Sequence, residues 1–146
     1  MELEFREGNS NDKEWIYSLY VLTMKTHIDK TWGWNEEFQS NLFNSDLHPT
    51  KFEIVSIEGV NVGVFLVIEK VDHLWLEMLL ICPDKQNKGI GKLLINKLIE
   101  SSKILKLSLR LSVIKANPVL SFYEKLGFSI YDEDEEFYKL EWEPNG

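Results

Sequence analysis

The sequence predicts an α/β layered fold with a mixed, largely antiparallel sheet. The first observation is the order of the segments, which runs strand, two helices, three strands, helix, strand, helix and two strands. The second is a short turn between two of the central strands, which is typical of a hairpin. The length of 146 residues argues for one domain, residues 1–146, around one core.

The N-terminal segment predicts a strand followed by a long helix. Residues 3–7, LEFRE, alternate between apolar and polar side chains, as a half-buried strand does. A helix over roughly 12–29 follows, because Asn11 and Glu14 fit the two positions of a capping box. Apolar side chains then recur at helical spacing, at Trp15, Leu19 and Leu22.

A second, shorter helix is predicted after a break. The segment TWGWN, residues 31–35, interrupts the first helix. Asn35 is a favourable N-terminal cap for the next helix. The apolar side chains of that helix are Phe38, Leu42 and Phe43.

Three strands are predicted in the middle of the chain. Residues 51–57 and 62–69 are rich in β-formers and are separated by a turn that contains Gly59, so they form a hairpin. Residues 73–81, HLWLEMLLI, are a long apolar run of the kind found in a central strand. Pro83 ends this strand.

The C-terminal part alternates helices and strands. From Gly91 a helical stripe is formed by Leu94, Ile95, Leu98 and Ile99. Residues 106–113 alternate as a strand, and a last strand pair is predicted near 128–131 and 137–142. The acidic residues 132–136, DEDEE, lack the glycine and the spacing of an EF-hand and predict a solvated loop between these strands.

Residues 117–127, NPVLSFYEKLG, predict a well-marked helix. Asn117 is a favourable cap, Pro118 suits the first helical position, and Gly127 suits the C-terminal stop. The apolar stripe of this helix includes Tyr123, which places that side chain on the core face.

Composition narrows the function classes. The 24 acidic and 16 basic residues give a net charge of −8, which disfavours a nucleic-acid binder and is compatible with a cationic small substrate. The single cysteine, Cys82, excludes an internal disulfide and favours the reducing cytoplasm. No apolar run is long enough to span a bilayer, and residues 1–10 do not form a signal peptide.

The segment PDKQNKGIGK, residues 83–92, has the composition of a phosphate-binding loop. It follows a strand and opens a helix, so its backbone N–H groups and the helix dipole favour an anion. Gly89 and Gly91 have no Cβ and let a phosphate approach closely. Lys88 and Lys92 add positive charge. The alternative is a plain strand-to-helix turn with glycines chosen for backbone geometry.

Two common phosphate-binding patterns do not fit this loop. A nucleoside-triphosphate loop requires glycine where Gln86 stands and Ser or Thr where Leu93 stands. A dinucleotide fingerprint requires a third glycine where Leu94 stands. A third pattern, Gln or Arg-x-x-Gly-x-Gly after a strand that ends in a proline-containing turn, fits ICPDKQNKGIG.

This third pattern resembles the GCN5-related N-acetyltransferase (GNAT) superfamily, which binds acetyl-coenzyme A. The segment NPVLSFYEKLGF, residues 117–128, resembles the later signature of that superfamily, and the element order is also similar. The resemblance implies a sheet of about seven strands flanked by about four helices. It also implies acetyl-CoA as co-substrate, held by the pyrophosphate loop Gln86, Asn87, Lys88, Gly89, Ile90, Gly91 and Lys92 and by the strand end Leu79, Leu80, Ile81 and Cys82.

The resemblance implies a direct transfer of the acetyl group to an amine. Tyr123 matches the tyrosine that protonates the leaving thiolate, and Asn117 matches a contact to the coenzyme arm. An N–H near Ile81 stabilises the developing oxyanion. Glu77 matches an acid that draws a proton from the amine through water. The alternatives are a core role for Tyr123, a capping role for Asn117 and an ion-paired or exposed Glu77.

Trp32 and Trp34 lie where the superfamily has its variable acceptor-binding wall, and they would cover an amine by cation–π contact or close the core edge. The histidines show no ligand spacing, so we expect no metal. Cys82 has no histidine at a recognisable spacing and is expected to be a partly buried thiol beside the coenzyme. Dimers are common in the superfamily, and Trp142, if exposed, would allow one.

The sequence predicts an acetyl-CoA-dependent N-acetyltransferase with no nucleic-acid, membrane or metal partner. One alternative is a non-catalytic acetyl-CoA-binding sensor, and another is an interaction module on the same fold. The amine acceptor stays open among small polyamines, aminoglycosides, amino acids and protein amines.

Overall fold

The structure is a computed structural model that describes residues 2–144. The strands are β1 (Glu4–Glu7), β2 (Glu53–Ile57), β3 (Val60–Glu69), β4 (His73–Ile81), β5 (Ser108–Ile114), β6 (Ser129–Glu133) and β7 (Phe137–Trp142). The helices are α1 (Lys13–Trp32), α2 (Glu36–Ser45), α3 (Ile90–Leu105) and α4 (Leu120–Lys125). This order confirms the predicted alternation of helices and strands.

The seven strands form one sheet in the order β1-β2-β3-β4-β5-β7-β6. Strands β4 and β5 pair in parallel, whereas β1 with β2, β2 with β3, β5 with β7 and β6 with β7 pair antiparallel. The predicted mixed, largely antiparallel sheet is therefore confirmed, with β4 in the central position. A parallel neighbour requires a crossover, and α3 supplies it between β4 and β5.

The chain divides into two compact units. The first comprises Met1–Leu66 and Met78–Gln86. Its core is rich in aromatic rings: the Phe43 ring lies 4.8 Å from Tyr20, 5.1 Å from Tyr17 and 6.3 Å from Phe52. The Tyr20 hydroxyl donates to the buried Gln39 side chain at 2.8 Å, so α1 and α2 are joined by a satisfied polar contact within an apolar environment.

Helix α1 begins at Lys13, close to the predicted start, but the predicted capping box of Asn11 and Glu14 is wrong, because the box forms two residues earlier, at Asn9 and Asp12. The Asn9 side chain accepts from the Asn11 N–H at 2.9 Å, and Asp12 accepts from the Asn9 N–H at 2.9 Å. Arg6 donates two hydrogen bonds of 2.8 Å to Asp12, which holds the pKa of that carboxyl below its usual range. A short 3₁₀ turn, Ser10–Asp12, therefore precedes the helix.

The other end of α1 and the start of α2 are set by the 31–35 segment. Helix α1 continues past the predicted end to Trp32 and stops where Gly33 adopts φ +85°. The Asn35 side chain then accepts from the Phe38 N–H at 2.8 Å, which confirms Asn35 as the cap of α2.

The second unit comprises Val67–Glu77 and Asn87–Gly146. The predicted helical stripe of α3 and the apolar face of β5 are both buried, at Leu94, Ile95, Leu98, Ile99, Leu109, Leu111 and Val113. The predicted loop over 132–136 is shorter than expected, because Asp132 and Glu133 belong to β6 and pair with β7. Residues 134–136 form the turn, which Asp134 closes by accepting from the N–H groups of Glu136 and Phe137. Trp142 is only partly exposed, since its ring packs on Gly127 and Lys103.

Asn117 does not cap α4, contrary to the prediction. The Asn117 N–H donates to the Ile114 carbonyl at 2.8 Å, and its own carbonyl accepts from the Val119 N–H at 2.8 Å. These two bonds form a tight turn, so the helix begins only at Leu120. The predicted stop is confirmed, because Gly127 follows the last turn with φ +99°.

Candidate functional site

The glycine loop presents unpaired backbone donors at the start of α3. Gly89 caps this helix with φ +84° and no neighbouring atom within 4 Å of an added Cβ. The N–H groups of Gly89, Ile90, Gly91 and Lys92 donate to no acceptor within residues 2–144. Four free donors in succession, together with the positive end of a 16-residue helix, form an anion-binding geometry.

Gly91 lies next to α4. A Cβ on Gly91 would lie 3.4 Å from the Phe122 ring, which is ordinary van der Waals contact, so packing against α4 does not require glycine at this position. Lys88 and Lys92 are exposed at the same loop.

The end of β4 has backbone groups on one side that the sheet does not use. The Cys82 N–H donates to the Val62 carbonyl of β3 at 2.8 Å. Successive residues of an extended strand alternate in direction, so the N–H and C=O of Ile81 point away from β3. The Gln86 side chain donates to the Ile81 carbonyl at 3.1 Å, and the parallel pairing of β4 with β5 runs only from His73 to Leu76, so it ends before Ile81.

Gly63 allows β3 to lie close to this strand end. A Cβ at Gly63 would stand 2.6 Å from the Leu80 carbonyl oxygen and 3.0 Å from the Ile81 side chain. No other residue fits there without a backbone shift. Gly63 lies inside a predicted strand, and a glycine in that place is the sequence signal for such a close approach of two backbones.

Tyr123 is buried in the second unit, and only 8% of its surface is exposed. Its ring lies 5.0 Å from Phe122 and 5.4 Å from Phe128. Burial raises the pKa of the phenol well above its ordinary value, which keeps it protonated at neutral pH. Its hydroxyl makes no hydrogen bond to the rest of residues 2–144 and so retains a proton to donate.

The Asn117 carboxamide is similarly unused. It makes no side-chain hydrogen bond with any described residue, although the backbone on both of its sides is bonded. The capping role that competed with a ligand contact in the sequence analysis is therefore absent. A partly exposed amide with free donors and acceptors remains.

Glu77 is exposed on β4 and is held by a neighbour that the sequence analysis missed. The Trp75 indole N–H donates to the Glu77 carboxylate at 2.5 Å. The two residues stand two apart and therefore share one face of the strand, whereas Leu74 and Leu76 are buried on the other. The i, i+2 spacing in the sequence was the signal for this pair.

Trp34 closes the edge of an aromatic cluster in the first unit. Its ring lies 5.9 Å from Tyr20, and the Lys25 ammonium lies 5.7 Å from its centre. Glu36 accepts from both the Trp34 indole N–H and the Tyr17 hydroxyl at 2.7 Å, which lowers the pKa of this carboxyl. Trp32, at the end of α1, is 50% exposed.

Two further predictions concern Cys82 and metals. The Cys82 thiol is partly buried, and this burial raises its pKa, an effect that the nearby Asp84 carboxylate reinforces. A raised pKa disfavours the thiolate and hence a nucleophilic role.

Within residues 2–144 no three His, Cys, Asp or Glu side chains are grouped as metal ligands would be. The helices of this range include none that is long and apolar enough to cross a membrane.

Comparison with protein families identifies the class of protein. The family model described as acetyltransferase (GNAT) domain matches residues 50–130, which is more than half of the chain. The chain therefore belongs to the GNAT acetyltransferase family. No curated protein sequence gives a significant match.

Solved structures share the whole fold. PaiA N-acetyltransferase from Thermoplasma acidophilum in complex with coenzyme A superimposes with a TM-score of 0.77 at 21% identity, covering 98% of this chain and 99% of that one. An acetyltransferase from Thermus thermophilus gives 0.75 at 14%, covering 98% and 97%. Ard1 from Thermoplasma volcanium gives 0.68 at 18%, covering 98% of each chain.

Proposed function

We propose that this chain is a single N-acetyltransferase domain that transfers an acetyl group from acetyl-CoA to a primary amine. The observation that carries the proposal is the row of free N–H groups from Gly89 to Lys92 at the start of α3, in a member of an acetyltransferase family. The similar PaiA structure, which holds coenzyme A, supports this choice of co-substrate.

The coenzyme is bound through backbone groups. The free N–H donors of the glycine loop bind the pyrophosphate, and Gln86, Asn87 and Lys88, which precede them in the loop, also contact it. The pantetheine arm pairs with the strand end Leu79–Cys82 as an added strand would. Support comes from the pairing of β4 with β5, which ends at Leu76 before it reaches Ile81, and from Asn117, whose carboxamide makes no hydrogen bond with a described residue.

The transfer needs no protein nucleophile. The neutral amine attacks the thioester carbonyl, and the Ile81 N–H stabilises the oxyanion of the tetrahedral intermediate. The C–N bond forms, the C–S bond breaks, and Tyr123 donates its proton to the departing thiolate. Glu77 accepts the amine's proton through water. The free, protonated hydroxyl of Tyr123 and the exposure of Glu77 support these roles.

The acceptor is proposed to lie against Trp32 and Trp34. The Lys25 ammonium already lies 5.7 Å from the Trp34 ring centre, which supports the ability of this ring to face an alkylammonium. The net charge of −8 favours a cationic acceptor over an anionic one.

Two measurements test the proposal. Calorimetric titration with coenzyme A should give saturable binding, and thiol release from acetyl-CoA should require one member of a panel of polyamines, aminoglycosides, amino acids and peptides. Mass spectrometry should find that acceptor heavier by one acetyl group. Binding with no turnover on any amine would support the sensor alternative, and no binding at all would support an interaction module.

A further inference from the structure

Glu77 has one hydrogen-bond partner in the described part of the chain, and that partner is neutral. The Trp75 Nε1–H donates to Oε2 of Glu77 at 2.5 Å. Within residues 2–144 no cationic side chain forms an ion pair with this carboxylate. The carboxylate is therefore oriented without being neutralised, and its Oε1 accepts no hydrogen bond from a described residue.

The nearest basic residue on the neighbouring strand is engaged elsewhere. Arg110 of β5 stands directly opposite Trp75 in the parallel ladder. Its Nε donates to Glu141 at 2.5 Å, and its guanidinium lies 5.1 Å from the centre of the Tyr131 ring. This arrangement keeps the guanidinium out of an ion pair with Glu77.

The indole itself is held by packing along β4. The His73 ring meets the Trp75 ring edge-on at 6.4 Å, and the His73 Nδ1 lies 2.7 Å from the Asp72 carboxylate. Trp75 is only partly exposed, whereas Glu77 is exposed. An exposed glutamate is solvated in any rotamer, so the hydrogen bond from a packed ring selects one orientation of it.

We infer that Trp75 is a positioning residue for the general base, a role that rests on the proposed function of Glu77. The indole N–H fixes Oε2, so that Oε1 is the oxygen that receives the proton from the amine by way of water. Positioning of this kind raises turnover without contributing to coenzyme binding.

A double-mutant cycle tests the inference. In the active enzyme, Glu77→Gln should lower kcat by about 100-fold, the usual scale for a lost general base. Trp75→Phe keeps the ring but loses the N–H, and it should lower kcat by about fivefold with the KM for acetyl-CoA changed less than about twofold. In the Glu77→Gln background, Trp75→Phe should have no further effect, since the base it positions is gone.

Trp142→Phe is the matched control, because this ring lies on β7 and is assigned no role in the reaction. It should leave kcat unchanged. An equal loss from Trp75→Phe in both backgrounds, or no loss in either, would overturn the positioning role while the base remains. Full activity of Glu77→Gln would instead show that Glu77 is not the general base, which also overturns the inference about Trp75. Absence of turnover on every amine would overturn both.

A spectroscopic readout detects the contact without turnover. The five tryptophans give five indole N–H resonances in a ¹⁵N-labelled sample, and Trp75→Phe identifies the one that belongs to Trp75. Glu77→Gln should move that resonance more than the other four. An unmoved Trp75 resonance would mean that the indole does not donate to Glu77 in solution, which overturns the inference.

Discussion

Tyr123→Phe tests the role of Tyr123 as the general acid while it keeps the aromatic ring and its packing. The substitution removes one hydroxyl from a ring that packs between Phe122 at 5.0 Å and Phe128 at 5.4 Å. That hydroxyl has no hydrogen-bond partner in the described chain, so no partner is left unsatisfied when it is removed. The free energy of unfolding should therefore change by less than about 1 kcal/mol.

The effect on turnover should be much larger. Burial raises the pKa of Tyr123, so the phenol is protonated at neutral pH and can donate to the thiolate. Loss of a general acid lowers kcat by about 100-fold, which corresponds to about 2.7 kcal/mol in activation free energy. The Kd for coenzyme A should stay within about twofold of the wild-type value, since the loop donors are unchanged.

The assay is initial-rate thiol release at saturating acetyl-CoA, with coenzyme binding followed by calorimetry. Tyr131→Phe is the control, because Tyr131 lies exposed on β6 and its ring keeps the contact to Arg110. It should leave both readouts unchanged. An unchanged kcat in Tyr123→Phe would refute the assignment of Tyr123 as the acid. A free energy of unfolding lowered by several kcal/mol would show that the Tyr123 hydroxyl has a hydrogen-bond partner in the folded protein.

Three other predictions follow from particular contacts. Gly63→Ala places a Cβ 2.6 Å from a carbonyl oxygen of β4. The variant should lower the free energy of unfolding, measured in urea, by about 1–3 kcal/mol, and it should weaken coenzyme A binding. Wild-type stability of the variant would contradict the close approach of β3 and β4. Gly89 and Gly59 both have a positive φ and open space around an added Cβ, so Gly89→Ala and its control Gly59→Ala should each lower the free energy of unfolding by about 1 kcal/mol. Only Gly89→Ala should raise the Kd for coenzyme A. Equal Kd values for the two variants would exclude the loop as the coenzyme site. Tyr20→Phe should cost about 1–2 kcal/mol at pH 8, because Gln39 loses its donor. Burial raises the pKa of Tyr20 to about 12, so wild-type stability from this group should fall as pH rises from about 10 towards that value, and parallel pH profiles of variant and wild type would contradict the shift.

The order of the elements could be predicted from the sequence because each segment has its own hydrophobic periodicity and is bounded by turn or cap residues. The caps were less predictable, because neighbouring polar residues compete for the same role. Asn11 with Glu14 and Asn9 with Asp12 both fit a capping box, and Arg6 decides between them by binding Asp12 from another element. A contact of that kind is invisible to a local pattern.

The same division applies to the candidate site. The glycine loop lies in one continuous stretch, so its free donors follow from local spacing. Glu77 stands within an apolar run of the sequence, but the structure exposes it and adds Trp75 as its partner. The sequence favours Asn117 as a helix cap, and the tight turn that begins at Ile114 prevents that role. Side-chain partners depend on which rotamer the fold permits, which periodicity does not report.

Gln86 explains why the loop departs from the nucleotide-binding patterns. A nucleoside-triphosphate loop has glycine at this position, and glycine has no side chain with which to reach back to the strand. Here the Gln86 amide donates to the Ile81 carbonyl at 3.1 Å, on the side of β4 that points away from β3. The glutamine side chain therefore ties residue 86 to the strand end. The N–H groups of Gly89 to Lys92 are free for a separate reason, because the start of a helix has no preceding turn whose carbonyls could accept from them.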